Sequence, residues 1–598
     1  MRWALIVVAF AGAAGSLGAQ GGAPPARDTT RADSARAVPE VVRDSVKAPF
    51  TMADVPRSAA IGRAWRWSRD EIFQTGALSL AELLEDVPGV RVMRTGLVLA
   101  PQVLTWWGRP ARVRLFVDGV AVDDLDARNA GGSDLGAIPT WPYEEIVAEP
   151  TPTELRVHMR TWRVERTVAE TRVDALTDGG NNDLYRGFFG RRFQSGLGLQ
   201  FAFQQFTEAT PTIGGDGDGL SMFARLGWTR GIWSVDAVTS RAARTRNPTF
   251  ATGGVDTVPP FTGRTELSYL RLARGTPGTG APWVQFIASG TSFSEKSPKS
   301  VTTFGGAPAD TADTTAFHAQ YVLTGGVDRG DLRTTAILRY RAYNGRGNFS
   351  PALRGEWDHG ALFGSVYAER AAEDSTMRID AALRYRMGTR IALTGGVSRR
   401  SPTSGSSATA SATASATTSA TTFEGAIRVR DAWIAGGVTS QPAANIIAPN
   451  VFGAKLTAAT TPSVMGKTFA LWGPLYRAIS FDIRGVLWPE AREYRPQNYV
   501  RARVGVDTDW RSRFPHGDFT LRASLLVEHM GGVLIPRAPE SIILPAASPM
   551  SSMVEIRVKT ATITWQFRNL LGAQYQTVPG FDMPTRTNLY GVRWRFTN

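Results

Sequence analysis

From about residue 168 to the end of this 598-residue chain, apolar and polar side chains alternate one for one. Ile479, Phe481 and Ile483 alternate with Ser480, Asp482 and Arg484. Phe519, Leu521, Ala523, Leu525 and Val527 alternate with Thr520, Arg522, Ser524 and Glu528. Val500, Ala502 and Val504 alternate with Arg501 and Arg503, and Ile379, Ala381, Leu383 and Tyr385 with Asp380, Arg384 and Arg386. A period of two places successive side chains on opposite faces of a strand and is incompatible with an amphipathic helix. Most of the chain must therefore be sheet with two unlike faces. At roughly 20 residues per strand and turn, this length holds an even number of strands near 20 to 22.

A sheet that long cannot leave its edges open, and closing it into a barrel removes them. Several patterns place the barrel in a membrane. The polar faces hold full charges, as a wet lumen would. Trp228, Trp233, Trp283, Trp488, Trp510, Trp565 and Trp594 fall near strand ends, where interfacial girdles form. Tight turns such as Gly330-Asp331 alternate with long connections at 245–263, 295–314, 401–421 and 532–550, matching short periplasmic turns and longer outer loops. A mean hydropathy of −0.15 excludes a bundle of apolar membrane helices, which needs runs of about 20 apolar residues. The expected fold is a 20–22-stranded antiparallel outer-membrane β-barrel preceded by a small α+β domain.

Residues 1–19 read as an export signal: Arg2, an apolar core from Trp3 to Ala14, then small residues from Gly15 to Ala19. Residues 20–64 are rich in Pro, Ala, Asp, Arg and Ser and read as a flexible periplasmic lead. Residues 65–160 change character. Ser79 and Glu82 form a capping box, and Leu80, Leu83, Leu84 and Val87 share one helix face before Pro88-Gly89 stops it. Val113–Val117 reads as a strand turned by Asp118-Gly119 into Val120–Val122. Tyr143–Ala148 and Leu155–Met159 are two further short strands. The barrel then occupies 161–598.

The helix leading into Val87-Pro88-Gly89-Val90, the Phe116-Val117-Asp118-Gly119-Val120 hairpin and the Glu144-Glu145-Ile146-Val147 strand together resemble the plug domain of TonB-dependent outer-membrane receptors. The last strand resembles the barrel-insertion signal of the same family, with Tyr590, Gly591, Trp594 and Phe596 at its spacing. A barrel of about 22 strands is wide enough to hold a plug, so the strand arithmetic agrees with the resemblance. The chain departs from the family pattern at Trp106–Arg109, at Glu149-Pro150-Thr151 and at Glu154–Val157.

The resemblance implies an outer-membrane receptor that imports a bulky solute, an iron chelate, corrinoid or glycan, with no covalent chemistry and no cofactor. It implies outer-membrane lipid, the barrel-assembly machinery and a periplasmic TonB-type energy transducer as partners. Glu40, Val41 and Val42 are the candidate coupling segment. Two alternatives stay open: a passive porin-like channel with a vestigial plug, and an outer-membrane hydrolase.

The lumen-facing arginines are the candidate solute-binding set: Arg333, Arg339, Arg484, Arg501, Arg503 and Arg522. Attraction of an anion is one reading; pairing with lumen carboxylates is the other. The net charge of +14 is spread along alternating strands rather than clustered, which argues against nucleic acid. Without Cys, and with five His at no ligand spacing, no metal motif exists. Gly214–Gly219 and the Ser/Thr/Ala run 401–421 read as flexible loops, and Asp178–Asp183 as a turn.

Overall fold

Along Leu197–Glu208 the usual burial rule is inverted. Leu199 and Phe201 are each 46% exposed, whereas Gln200 between them and Gln204 beyond them are buried. The same inversion recurs at Leu270 and Leu272 around Arg271, and at Leu338 and Tyr340 around Arg339. A strand that exposes apolar residues and buries polar ones faces lipid outward and a polar interior inward. The structure is a computed structural model. It describes residues 45–597, apart from 51–54, 62–63, 111, 123–124, 127–131, 179, 181, 210–214, 253–256, 297–312, 344–345, 373–374, 403–416 and 454. The signal, most of the lead and Glu40–Val42 lie outside the described residues.

Twenty-two antiparallel strands close into a barrel. It begins with Glu170–Thr177 and ends with Thr587–Thr597, and these two pair to complete the ring, Val592 opposite Ala175. Tight turns such as Gly231-Ile232, Gly330-Asp331 and Arg430-Asp431 lie at one end. The longer connections lie at the other, which is thereby the outer end. Ser45 and Lys47 sit at the tight-turn end: Ser45 bridges Arg166, and the Thr229 hydroxyl donates to the Lys47 carbonyl at 2.6 Å. The chain therefore enters the lumen from the periplasmic side.

Inside the barrel lies the plug. Its sheet contains β1 (Arg66–Ser68), β4 (Val113–Val117), β5 (Val120–Val122), β6 (Tyr143–Pro150) and β7 (Leu155–Thr161), in the order β1-β6-β7-β4-β5. The hairpin β2 (Val90–Arg94) and β3 (Gln102–Trp106) stands beside it. Helices α1 (Arg69–Gln74) and α2 (Leu80–Leu84) bury Ile72, Phe73, Leu80, Leu83 and Leu84. This apolar core continues into the barrel wall at Phe188, Phe223 and Ile287.

Several expectations need correction. The full capping box belongs to α1, where Ser68 and Glu71 bond reciprocally. At α2 the Ser79 hydroxyl accepts from the Glu82 amide, but Glu82 takes the Leu78 amide and two arginines instead of the cap amide. Trp283 and Trp488 do not join a lipid girdle. Both are buried: Trp283 stacks edge-on to Phe50, and Trp488 to Trp107 of the plug. Gly217–Gly219 and Thr418–Thr421 are strand rather than loop.

Candidate functional site

The plug is held to the wall by polar groups that sequence places far apart. On one side, the docked wall reaches from Glu170 to about Arg341. Gln200 donates to the Trp162 carbonyl at 2.7 Å and accepts the Val164 amide. Gln320 brackets Ala121, donating at 3.0 Å and accepting at 3.2 Å. Arg271 donates to the Asp118 carbonyl at 3.1 Å and to Asp236, which also takes Arg225.

Asp118 and Gly119 form the turn between β4 and β5, with φ of 50° and 89°. Asp suits a left-handed turn, because its short polar side chain can bond locally. Here the carboxylate accepts the Thr161 amide and hydroxyl and the Tyr269 hydroxyl. Burial would raise its pKa, yet Arg271 and Arg225 hold it below the ordinary value. Gly89, at φ 89°, ends the turn after α2. A Cβ there would lie 2.8 Å from the Trp107 ring, so the Pro88-Gly89 motif is required by a close approach.

A second polar cluster binds the far side of the plug. Arg114 forms a bidentate pair with Glu369, at 2.6 and 3.0 Å. Arg354 does the same with Glu149, at 2.7 and 3.1 Å. Arg156 bonds Asp380 and Glu154. Glu154 faces Arg156, Arg114, Arg400 and Arg378 within 4 Å. Burial pushes Glu154 up, but Arg156 and its neighbours win and hold it down to about 2. Glu149 is likewise held well below the carboxylate range by Arg354 and Arg156 against its burial.

Between this cluster and the C-terminal wall the plug does not fill the lumen. One cavity of about 670 Å3 runs beside the segment Val55–Ile61, the turn after β6 and the wall from Arg333 to Arg484. A second, of about 540 Å3, lies between the helices and the wall from Ser480 to Thr587. A narrow space lies between them. It shares Trp65, Val87, Pro88 and Arg484 with the first, and Glu85, Asp86, Arg501 and Arg503 with the second.

The six candidate arginines all face inward and divide between these regions. Arg333 donates to the Val55 carbonyl at 2.6 Å, and Arg339 lies 3.4 Å from Glu369 over the Phe116 ring. Arg484 pairs with Asp482 and covers Trp65. Arg501 reaches Glu528 at 2.7 Å and Asp86 at 3.2 Å. Arg503 is bidentate to Asp86 at 3.1 and 2.9 Å, and half-buried Arg522 pairs with Asp507 at 2.9 Å. Each has a carboxylate partner; Arg333 lies 3.3 Å from Asp328 and 3.7 Å from Glu356. Sequence reading did not single out Asp86 and Glu369, which meet these arginines, or Glu82 and Glu149, which meet others, because nothing local marks contacts made across hundreds of residues.

The outer mouth is covered on one side. Short hairpins at Thr249–Val258, Ala444–Thr461, Val533–Leu544 and Gln576–Asp582 gather Val258, Phe452, Tyr494, Ile535 and Phe581 into one buried cluster with Met93 and Val103 of the plug. Thr577 locks it to β2, accepting the Arg94 amide at 2.7 Å and donating to its carbonyl at 2.8 Å. Among the described residues, no group of three or more His, Asp or Glu could hold a metal ion.

Solved structures share this architecture. The siderophore receptor PirA from Acinetobacter baumannii aligns over 89% of this chain and 98% of its own, with a TM-score of 0.64 at 10% identity. The F3-3 variant of the FrpB iron transporter from Neisseria meningitidis covers 89% and 98%, with a TM-score of 0.66 at 10% identity. The copper transporter OprC covers 87% and 96%, with a TM-score of 0.66 at 13% identity. At these identities the likeness is one of fold. The resemblance to TonB-dependent receptors read from the plug motifs holds at that level, and the 22-strand barrel fits it. No protein-family model and no curated protein sequence matches the chain.

Proposed function

We propose that this chain is an outer-membrane receptor and transporter of TonB-dependent type, importing a bulky solute through its plugged barrel. The observation that supports it is the plug itself: a folded domain fitted into the lumen and fastened by hydrogen bonds and ion pairs. Such contacts can be exchanged for water when the plug moves, whereas a continuous covalent or wholly apolar seal could not open as readily. The solved receptors for siderophores, iron and copper have the same arrangement, which makes a metal chelate the first solute class to test; a corrinoid or glycan is the next.

Work for plug movement would come from a periplasmic transducer acting on the lead, with Glu40-Val41-Val42 adding a strand to the partner's sheet edge. Outer-membrane lipid and the barrel-assembly machinery complete the partners. The arginines Arg333, Arg339, Arg484, Arg501, Arg503 and Arg522 would draw an anionic solute along the crevice beside the plug. That crevice also favours a second reading, a passive channel.

The test compares wild-type and deletion cells for growth and uptake under limiting iron, cobalamin and glycans. Val41→Pro removes an amide and fixes φ, so it breaks strand pairing without touching plug or barrel. Energised import is expected to fall with Val41→Pro and with a dissipated proton gradient, at unchanged abundance. Uptake indifferent to the whole lead and to the gradient establishes the passive channel instead.

A further inference from the structure

We propose that the path through this barrel runs along one particular wall, the strands from Leu362–Ala371 to Val464–Tyr476, and that the plug turn Thr151–Glu154 is its outer gate. This rests on the reading of the chain as a conducting barrel and adds to it where the conduit lies and what closes it.

The lumen wall is unequal. On the docked side, Gln200, Arg225, Tyr269, Arg271 and Gln320 are buried and bonded to the plug, and the space between plug and wall there is only about 180 Å3. The opposite wall sets small inward residues, Ala382, Gly396, Thr422, Thr439 and Thr468, among the charged Asp380, Arg384 and Glu424. Small side chains leave the 670 Å3 cavity that large ones would fill, and their hydroxyls keep it wettable. At its lower end the cavity reaches the segment Val55–Ile61 and Arg386 near the tight turns, on the periplasmic side.

At its upper end the cavity is bounded by Thr151 and Pro152 of this turn, with Trp106 and Trp107 beside them. Pro152 packs against the wall at Gly396, where an added Cβ would lie 3.6 Å from the proline ring. Gln441 donates to the Pro152 carbonyl at 2.9 Å, and Trp106 to the Thr151 carbonyl at 3.0 Å. Glu154 anchors the turn to Arg378 and Arg400 of the wall. The turn is four residues long and is held to the barrel by polar contacts, so it can move while the plug sheet behind it stays folded.

The test needs no knowledge of the solute. Purified protein is inserted in planar bilayers and potassium chloride conductance is measured, with insertion checked by the mobility difference between unheated and heated samples. The variant Glu154→Gln with Gln441→Ala loosens the gate and is expected to raise conductance severalfold over wild type. Adding Thr468→Trp, which fills the conduit, is expected to return it to the wild-type level. Adding Ser524→Trp, which fills the other chamber, should leave it raised. A gate variant no more conductive than wild type overturns the gate, and a block by Ser524→Trp but not Thr468→Trp overturns the route.

A second variant covers loss of folding. The chain has no cysteine, so Pro152→Cys with Gly396→Cys forms the only disulfide possible. Oxidation is expected to suppress urea-induced conductance and reduction to restore it; equal conductance in both states overturns the gate. Because conductance requires neither solute nor transducer, it can fail while energised uptake survives, and the reverse, so the two readings are separately tested.

Discussion

The Asp118 carboxylate accepts the Tyr269 hydroxyl at 2.5 Å across the boundary between plug and barrel. The same carboxylate also takes the Thr161 amide at 3.0 Å, so one side chain ties two plug strands to the wall. The neighbouring Asp118 carbonyl takes Arg271, and Arg225 bonds the Trp162 carbonyl at 3.1 Å. The hairpin motif read from sequence is thus a docking element as well as a turn.

Removing this carboxylate is expected to loosen the plug. Asp118→Asn tolerates the left-handed turn but loses the charge facing Arg271 and Arg225. The change should weaken docking by about 1–3 kcal/mol, the effect of leaving buried partners poorly satisfied. Asp118→Ala strands those groups altogether and should weaken it by about 3–5 kcal/mol. Limited proteolysis of the plug in detergent across a urea series measures both. The expected order of urea midpoints is wild type, then Asn, then Ala.

The pH response follows from Glu149 and Glu154, both depressed when folded. A carboxyl whose folded pKa lies below its unfolded value, about 4.3 for Glu, stabilises the folded state fully above that value. The stabilisation is lost as pH falls through the folded pKa, about 2 for Glu154. Plug protection from protease is therefore expected to stay level from neutral pH to about 5 and to decline between roughly 4 and 2. With Glu154→Gln the acid-dependent part of that decline should shrink. A decline centred near neutrality would contradict the pairing.

Arg503 and Arg522 look alike in sequence and differ in the structure. Arg503 grips Asp86 of the plug with two bonds, while half-exposed Arg522 makes one contact within the wall, to Asp507. Arg503→Ala leaves the partly buried Asp86 facing Arg501 at 3.2 Å, and should lower plug stability by about 1–3 kcal/mol. Arg522→Ala should change it by less than about 1 kcal/mol, as exposed pairs do. If Arg522 instead serves a passing anion, its replacement lowers uptake at low salt with stability unchanged, and the effect fades at high salt. Urea midpoints and uptake of the identified solute, measured on the same two variants, separate the roles.

These pairs mark where the sequence stops being legible. Strand period, lipid face, plug hairpin and terminal strand were readable because each is written in neighbouring residues. Arg503 and Asp86 stand 417 positions apart, and no local pattern joins them. Trp283 and Trp488 sit near strand ends, as girdle residues do, yet the structure turns them inward against Phe50 and Trp107. The loop hairpins were missed for another reason: Thr249-Phe250 and Thr257-Val258 are too short to show alternation. Ser79 and Glu82 carry the capping-box pattern, but the reciprocal bonds form at Ser68 and Glu71, because Arg568 and Arg94 draw Glu82 away.

Closure of the ring depends on the last strand, and within it on a residue with no side chain. Thr587–Thr597 pairs with Ala561–Arg568 on one edge and Glu170–Thr177 on the other. Without it both neighbours expose unpaired amides and carbonyls within the membrane, each costing several kcal/mol there. Deleting 590–598 is therefore expected to abolish insertion. Gly591 permits a finer test. A Cβ at this position would lie 2.0 Å from the Ala175 carbonyl oxygen and 2.6 Å from the Leu176 Cα, both backbone atoms that cannot move aside. Tyr590, Val592 and Trp594 face lipid, where a swap of one apolar residue for another changes little. Gly591→Val should thus prevent closure of the barrel, while Val592→Leu should not. Refolding each variant into micelles and comparing unheated with boiled mobility on a denaturing gel checks this. The expected result is a shifted, compact band for Val592→Leu and none for Gly591→Val; a shifted band for both would mean the two terminal strands pair in a different register.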